Sequence, residues 1–121
     1  EFNGITSHVD VMPTILDVLG ILPTSYAQGL SMLSKRREQM AVFQTYAPDH
    51  LMGVLDGRWK YLYNMTKKKA ELYDLMADPE EKVNLHEKFP EIARRYHAVI
   101  EESYRHRIEF YKSIMKGTGV L

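Results

Sequence analysis

Apolar positions recur at threes and fours near both ends of the chain and at twos in the middle, so the pattern predicts helix, then sheet, then helix. In "HVDVMPTILDVLG", residues 8 to 20, the positions Val9, Met12, Ile15, Leu16 and Leu19 share a helical spacing. Asp10 reads as the N-cap and places Pro13 in the first turn, where a missing N–H costs least. Gly20 reads as the stop, with Pro23 shortly after. Only Asp10 and Asp17 are charged here, so this helix wants cover over most of its surface. Residues 21 to 40 have turn formers and no sustained period, with a helical turn expected near Leu30 to Leu33 and a solvated charge cluster in "SKRREQ".

From Ala41 the period becomes two. "AVFQTY" and "HLMGVL" are strand candidates, and Asp56-Gly57 is a two-residue hairpin signal. "RWKYLYNM" follows, with Trp59, Tyr61 and Tyr63 on one face and Lys60 and Leu62 on the other. The lysines at 67 to 69 make a charged turn, "AELYDL" a fourth strand, and Asp78-Pro79 ends the pattern. Pro90 suits the first turn of a last helix, in which Ile92, Tyr96, Val99, Ile100, Tyr104, Ile108, Tyr111 and Ile114 or Met115 form a stripe able to cover the meander, and Gly117 ends it. The expected fold is α+β: a small antiparallel sheet of three or four strands packed by a long C-terminal helix and preceded by a separate N-terminal helix.

Composition narrows the chemistry. The 121 residues balance 16 basic against 16 acidic side chains, which gives nothing global to steer the chain to nucleic acid or an anionic membrane. The last helix interleaves Arg94, Arg95, Arg105 and Arg107 with Glu91, Glu101, Glu102 and Glu109, a solvated face with ion pairs and not a one-signed stripe for phosphates. No apolar run reaches the ~18 residues of a membrane span, so no membrane contact is expected from these residues. Cysteine is absent, which excludes disulfides, thiolate zinc sites and thiol nucleophiles within the chain. It opens on Glu1-Phe2 without an initiator methionine, which reads as an internal boundary. Asn64-Met65-Thr66 is a sequon of the kind that arises by chance.

The order of the pieces carries a resemblance. "SHVDVMPTILDVLGI", "QGLSML", "GVLDGRWKYLYN" and "ELYDLMADPEEKVNL", followed by a long terminal helix, resemble the C-terminal part of the sulfatase family, within the alkaline phosphatase superfamily. The resemblance covers essentially the whole chain. It implies that residues 1–40 belong to a larger catalytic domain and residues 41–121 form a C-terminal subdomain. It further implies a parent that hydrolyses sulfate esters with a formylglycine made from Cys or Ser in C/S-x-P-x-R and with a bound calcium ion. Neither motif nor ligand set stands in this chain, so no catalytic or metal residue carries over and the isolated chain is expected to be inactive. Phosphoglycerol and phosphoethanolamine transferases have a similar tail and remain an alternative, as does a stand-alone interaction module. The expected partner is the remainder of the parent enzyme, with self-association through residues 8–22 as a second outlet for the uncovered first helix. Family members are commonly exported, which points to a periplasmic, extracellular or lysosomal parent.

Candidate site residues are few. The loop "TYAPDH" joins the first two strands, and its counterpart in sulfatases can approach the mouth of the active site. Tyr46, Asp49 and His50 are therefore the candidates for substrate contact, Tyr46 by stacking and His50 by hydrogen bonding a sulfate or hydroxyl. An ordinary polar hairpin loop is the competing reading. His8 and Asp10 make an H-x-D better explained by a helix start than by a metal, and His97 and His106 are two turns apart on one helix, too far to share an ion.

Overall fold

The computed structural model describes residues 4–22, 29–34 and 40–117. Pro23, Gln28 and most of the "SKRREQ" cluster lie outside the described residues. A 3₁₀ turn over His8–Asp10 leads into α1 (Val11–Val18). Four strands follow, β1 (Ala41–Thr45), β2 (Leu51–Leu55), β3 (Trp59–Asn64) and β4 (Lys69–Asp74), and then the long helix α2 (Pro90–Gly117). The sheet is an antiparallel meander in the order β1-β2-β3-β4, and α2 covers one of its faces. The expected α+β architecture is the one observed.

The Asp56-Gly57 turn sets the register. Gly57 takes φ 86, a left-handed conformation that costs a glycine nothing, and the pairing that results puts Val54 opposite Tyr61 and Met52 opposite Tyr63. Because side chains alternate along a strand, Met52, Val54, Tyr61 and Leu72 all point to the same face. Ala93, Tyr96 and Ile100 of α2 close over them, and these seven residues are the buried core. Trp59 packs edge-on against Phe89 at 5.5 Å between centroids, which fixes where α2 begins.

The helix outruns the sheet. Its 28 residues span about 42 Å at 1.5 Å per residue, whereas β3, along which it runs from Trp59 to Tyr63, has six residues and reaches only about 20 Å. The stripe expected to cover the meander does so only through its first half. Tyr111, at 57% exposure, lies well past the last buried residue, Ile100.

Buried Asp74 ends β4 and ties the last two strands together. Its carboxylate accepts from Arg58 Nη2 at 2.7 Å and from the N–H groups of Met76 and Ala77, and these partners, Arg58 first, hold it below the ordinary aspartate range. Beyond the turn, Asn84 Oδ1 accepts the Leu72 N–H (3.1 Å) and Leu72 C=O accepts the Leu85 N–H (2.7 Å), so residues 84 and 85 cover the outer edge of β4. Thus "ELYDLMADPEEKVNL" is architecture: strand, turn and edge cover.

The N-terminal helix is shorter than its periodicity and is capped differently. Asp10 makes no capping hydrogen bond to α1. Its buried carboxylate turns back to the Ser7 N–H (2.9 Å) and across to the Leu30 N–H (3.0 Å). Ser7 is the residue before the first turn, so the cap falls three residues earlier than the sequence indicates. Gly20 does end the helix: Gly20 N–H and Ile21 N–H return to Asp17 C=O and Leu16 C=O at 3.1 and 2.8 Å, a Schellman pair. Residues 29–34 lie along α1 as a strap, with Met32 N–H donating to Thr14 Oγ1 at 2.8 Å. At Gly29 any side chain would run into the backbone of Val9. The Leu30 to Leu33 segment is a turn, Ser34 N–H to Ser31 C=O, and not a helix.

Two outcomes test this packing. Leu72→Ala should destabilise the chain by about 3 kcal/mol, measured by urea denaturation, whereas Ala at Leu22, 87% exposed, should leave stability unchanged. Burial, with help from Tyr63 and Glu101, pushes the Tyr61 phenol from 10.0 up to about 12. A raised folded value means that the stabilisation is complete below pH 10 and disappears as the pH rises through about 12. The melting temperature should therefore decline over that window as phenolate absorbance rises. A melting temperature flat across it would contradict the buried, neutral ring.

Candidate functional site

The three residues singled out from sequence lie at one end of the sheet, where the β1–β2 loop meets the β3–β4 turn. Counting back from the Asp56-Gly57 hairpin places Leu51 opposite Asn64, so His50 falls beside Met65. Met65 N–H donates to His50 C=O at 2.9 Å, and His50 N–H donates to Thr66 Oγ1 at 3.1 Å. The two loops are thereby fastened through backbone.

Tyr46 and His50 come together and Asp49 turns away from them. The Tyr46 and His50 rings stack at 4.5 Å between centroids and 21° between planes. Gln44 Nε2 donates to the Tyr46 hydroxyl at 2.9 Å. Held at both ring face and hydroxyl, Tyr46 still has 65% of its surface exposed. It is a preorganised aromatic platform.

Asp49 accepts from Lys67 Nζ at 2.6 Å and Asn64 Nδ2 at 2.9 Å, and Asn64 Oδ1 in turn accepts the Lys67 N–H at 2.8 Å. Lys67 first and Asn64 second hold the Asp49 carboxyl below the ordinary 3.8. The sequon residues Asn64 and Thr66 are both consumed by this loop network. Gln44, Asn64, Thr66 and Lys67 were not legible as site residues, because their roles depend on strand register. The one signal for them was the Asp56-Gly57 turn, from which the register can be counted.

Two buried polar atoms here have no hydrogen-bond partner: His50 Nε2 and Gln44 Oε1. Such atoms are few in folded proteins and cost ~1–3 kcal/mol each when left unpaired.

The other polar candidates are accounted for structurally. His97 Nδ1 lies 3.0 Å from the Tyr61 hydroxyl, and the ring sits edge-on to Tyr63 at 4.6 Å between centroids. His106 pairs with Glu102 at 2.6 Å, one turn away on α2. His8 is exposed and Asp10 serves the Ser7 and Leu30 backbone. Among the described residues no three His, Asp or Glu side chains are grouped as a metal would require, so they do not fit the calcium that the family resemblance implies. The arrangement at the loop end contains no paired nucleophile and base among the described residues.

Known proteins give this geometry its class. The chain is 35% identical over 94 residues to a choline-sulfatase of Rhizobium meliloti (strain 1021), an alignment covering 68% of this chain and 18% of that protein. It is 30% identical over 110 residues to arylsulfatase K of Rattus norvegicus, covering 76% of this chain and 20% of the relative. A solved 2-O GAG sulfatase superimposes with a TM-score of 0.69 at 25% identity, over 86% of this chain and 26% of that one. A protein solved with its substrate D-glucosamine-2-N,6-O-disulfate shares the fold, with a TM-score of 0.68 at 23% identity over 79% of this chain and 23% of that one. No protein-family model matches the chain. The chain spans about a fifth of the length of the curated relatives it matches. Sheet, helix and ordered motifs are those of a C-terminal portion of a sulfatase. The chain belongs to the sulfatase family.

The Asp49 clasp has a measurable signature. A depressed folded value stabilises above the ordinary 3.8 and loses that contribution as the pH falls through the folded value. A carboxyl resonance of Asp49 should therefore titrate below 3.8, and Lys67→Ala should bring it back toward that value. A midpoint unmoved by the substitution would remove Lys67 as the cause.

Proposed function

We propose that this chain is the C-terminal subdomain of a sulfate-ester hydrolase, with residues 1–40 belonging to the larger catalytic domain and residues 41–121 forming the subdomain proper. The observation that carries the reading is the match to sulfatases over 68% to 76% of this chain and only about a fifth of theirs. In this reading the formylglycine and the calcium site belong to the rest of the protein, and the residues here contribute architecture and part of the substrate mouth.

The surface of the N-terminal unit supports it. Val11, Met12, Ile15, Val18, Leu19 and Leu22 are all exposed although the helix is held firmly by its strap. An apolar face of that extent on a rigid helix is an interface without its partner. The rest of the enzyme is the natural occupant. In its absence a second copy, docking through residues 8–22, would relieve the same exposure.

The mouth role falls to Tyr46 and His50, with Asp49 fixing the loop that carries them. Tyr46 offers a flat, exposed apolar face to a substrate, and His50 stacked against it holds that face in place. The named relatives are sulfatases, which favours the hydrolase over a phosphoglycerol transferase.

The full-length protein should hydrolyse an aryl sulfate such as p-nitrophenyl sulfate, and His50→Ala should raise KM about 3- to 10-fold with little change in kcat, because the Tyr46 ring loses the stacked partner that holds it. A protein that leaves aryl sulfates intact but transfers phosphoglycerol would move the chain to the other branch. In size exclusion, removing residues 1–36 should abolish self-association of the 121-residue chain. Persistence of the oligomer would place the contact elsewhere.

A further inference from the structure

The part of α2 that runs past the sheet differs in charge from the part that is covered. From Ser103 to Gly117 it carries Arg105, Arg107, Lys112 and Lys116 against the single acid Glu109, a local positive surplus over about 22 Å of helix. The other acids of the helix, Glu91, Glu101 and Glu102, all come before it. Arg105 is tied back to Glu102 at 2.7 Å, whereas Arg107, Lys112 and Lys116 have no acidic partner among the described residues. The apolar side chains are ordered as well. Tyr104, Ile108, Tyr111 and Met115 fall within about 60° of arc, take up the line of Ala93 and Ile100, and are all exposed. Lys112 borders this stripe on one side and Arg107 on the other, while Glu109 lies towards the polar back of the helix.

We propose that the terminal part of α2, Tyr104 to Lys116, is an interfacial anchor for an anionic lipid surface. Tyr111 and Met115 enter the boundary between headgroups and acyl chains, and Arg107, Lys112 and Lys116 extend their stems to the phosphates on either side. Tyrosine suits that depth because its ring is apolar and its hydroxyl stays wet. Among the described residues no helix is long and apolar enough to cross a membrane, but lying in the interface requires only one apolar side. The balanced charge of the whole chain does not oppose this, since acids more than about 8 Å away are screened and the surplus on the helix end is local. The same charges disfavour a second copy on this stripe. Two such helices would set Arg105 and Lys112 of one beside those of the other along the seam, cation against cation. The anchor does not rest on the hydrolase reading.

The test is co-sedimentation of the full-length protein with mixed phosphatidylcholine–phosphatidylglycerol vesicles, beside vesicles of phosphatidylcholine alone. The mixed vesicles should carry the protein down and the neutral ones should not. K112A/K116A should weaken the binding about 10- to 30-fold, roughly fivefold for each lysine at an anionic surface, and should flatten its salt dependence. Y111S/M115S should weaken it about tenfold or more through the lost apolar contact. Both double variants should keep the wild-type melting temperature, because all four side chains are exposed. Failure to sediment with the mixed vesicles would overturn the proposal, as would equal binding to both kinds of vesicle. Full binding by Y111S/M115S would reduce the contact to adsorption by charge and remove the anchor. An oligomer that Y111S/M115S dissolves would give the stripe to a second copy, and a fall in the melting temperature of that variant would give it to the rest of the enzyme. Either result would likewise remove the anchor.

Discussion

The carboxylate of Asp56 is the point on which the rest of the subdomain hangs. Its Oδ1 accepts the N–H groups of Arg58 and Trp59 at 3.3 and 2.9 Å, closing the turn that pairs β2 with β3. Its Oδ2 accepts the hydroxyl of Tyr96, a buried residue of α2. One side chain therefore sets the strand register and the position of the covering helix at once. A shift of one residue in that register would put Met52 and Val54 of β2 on the face opposite Tyr61 of β3 and break up the surface on which Tyr96 packs. The hydrogen bond also places the polar end of an otherwise core tyrosine, and together with burial it holds the phenol neutral far above its ordinary range.

From that turn the two ends of the sheet acquire different characters. The Asp56 end is closed by packing and fixed charge: Trp59 against Phe89, and Asp74 buried beneath Arg58. Arg58 itself is more than half exposed, so the pair is worth little as an isolated attraction; its value is that Asp74 is not left bare. The opposite end is held by loop-to-loop hydrogen bonds and the Lys67–Asp49 pair, and it keeps an exposed ring and two free lysines. Rigid strands thus present a polar, aromatic loop cluster at one end.

The N-terminal unit obeys a different logic. Asp10, Thr14 and Gly29 lock a strap onto α1, so the unit keeps its shape without burying its own apolar side chains. A helix ordered by polar contacts and apolar on the outside is built to be covered. That is why the division at residue 40 carries meaning for the function proposed here: the sheet and α2 have a core of their own, and α1 does not.

Local chemistry determined much of this. The period of two, the Asp56-Gly57 turn, the Gly20 stop and the helical stripe from Pro90 each follow from short-range sterics and alternation, so four strands and two helices were legible from residues alone, and their order carried the family. The helix cap was not, because Ser7 and Asp10 both suit that position and the choice between them follows from the strap at Leu30, twenty residues further along the chain. Tyr46, Asp49 and His50 could be placed in one loop from sequence, but the stacking of Tyr46 on His50 and the diversion of Asp49 to Lys67 depend on which loops meet across the sheet. The fate of the α2 stripe was likewise tertiary: periodicity gives an apolar face to the whole helix, while the length of the strands it lies along decides how much of that face is buried.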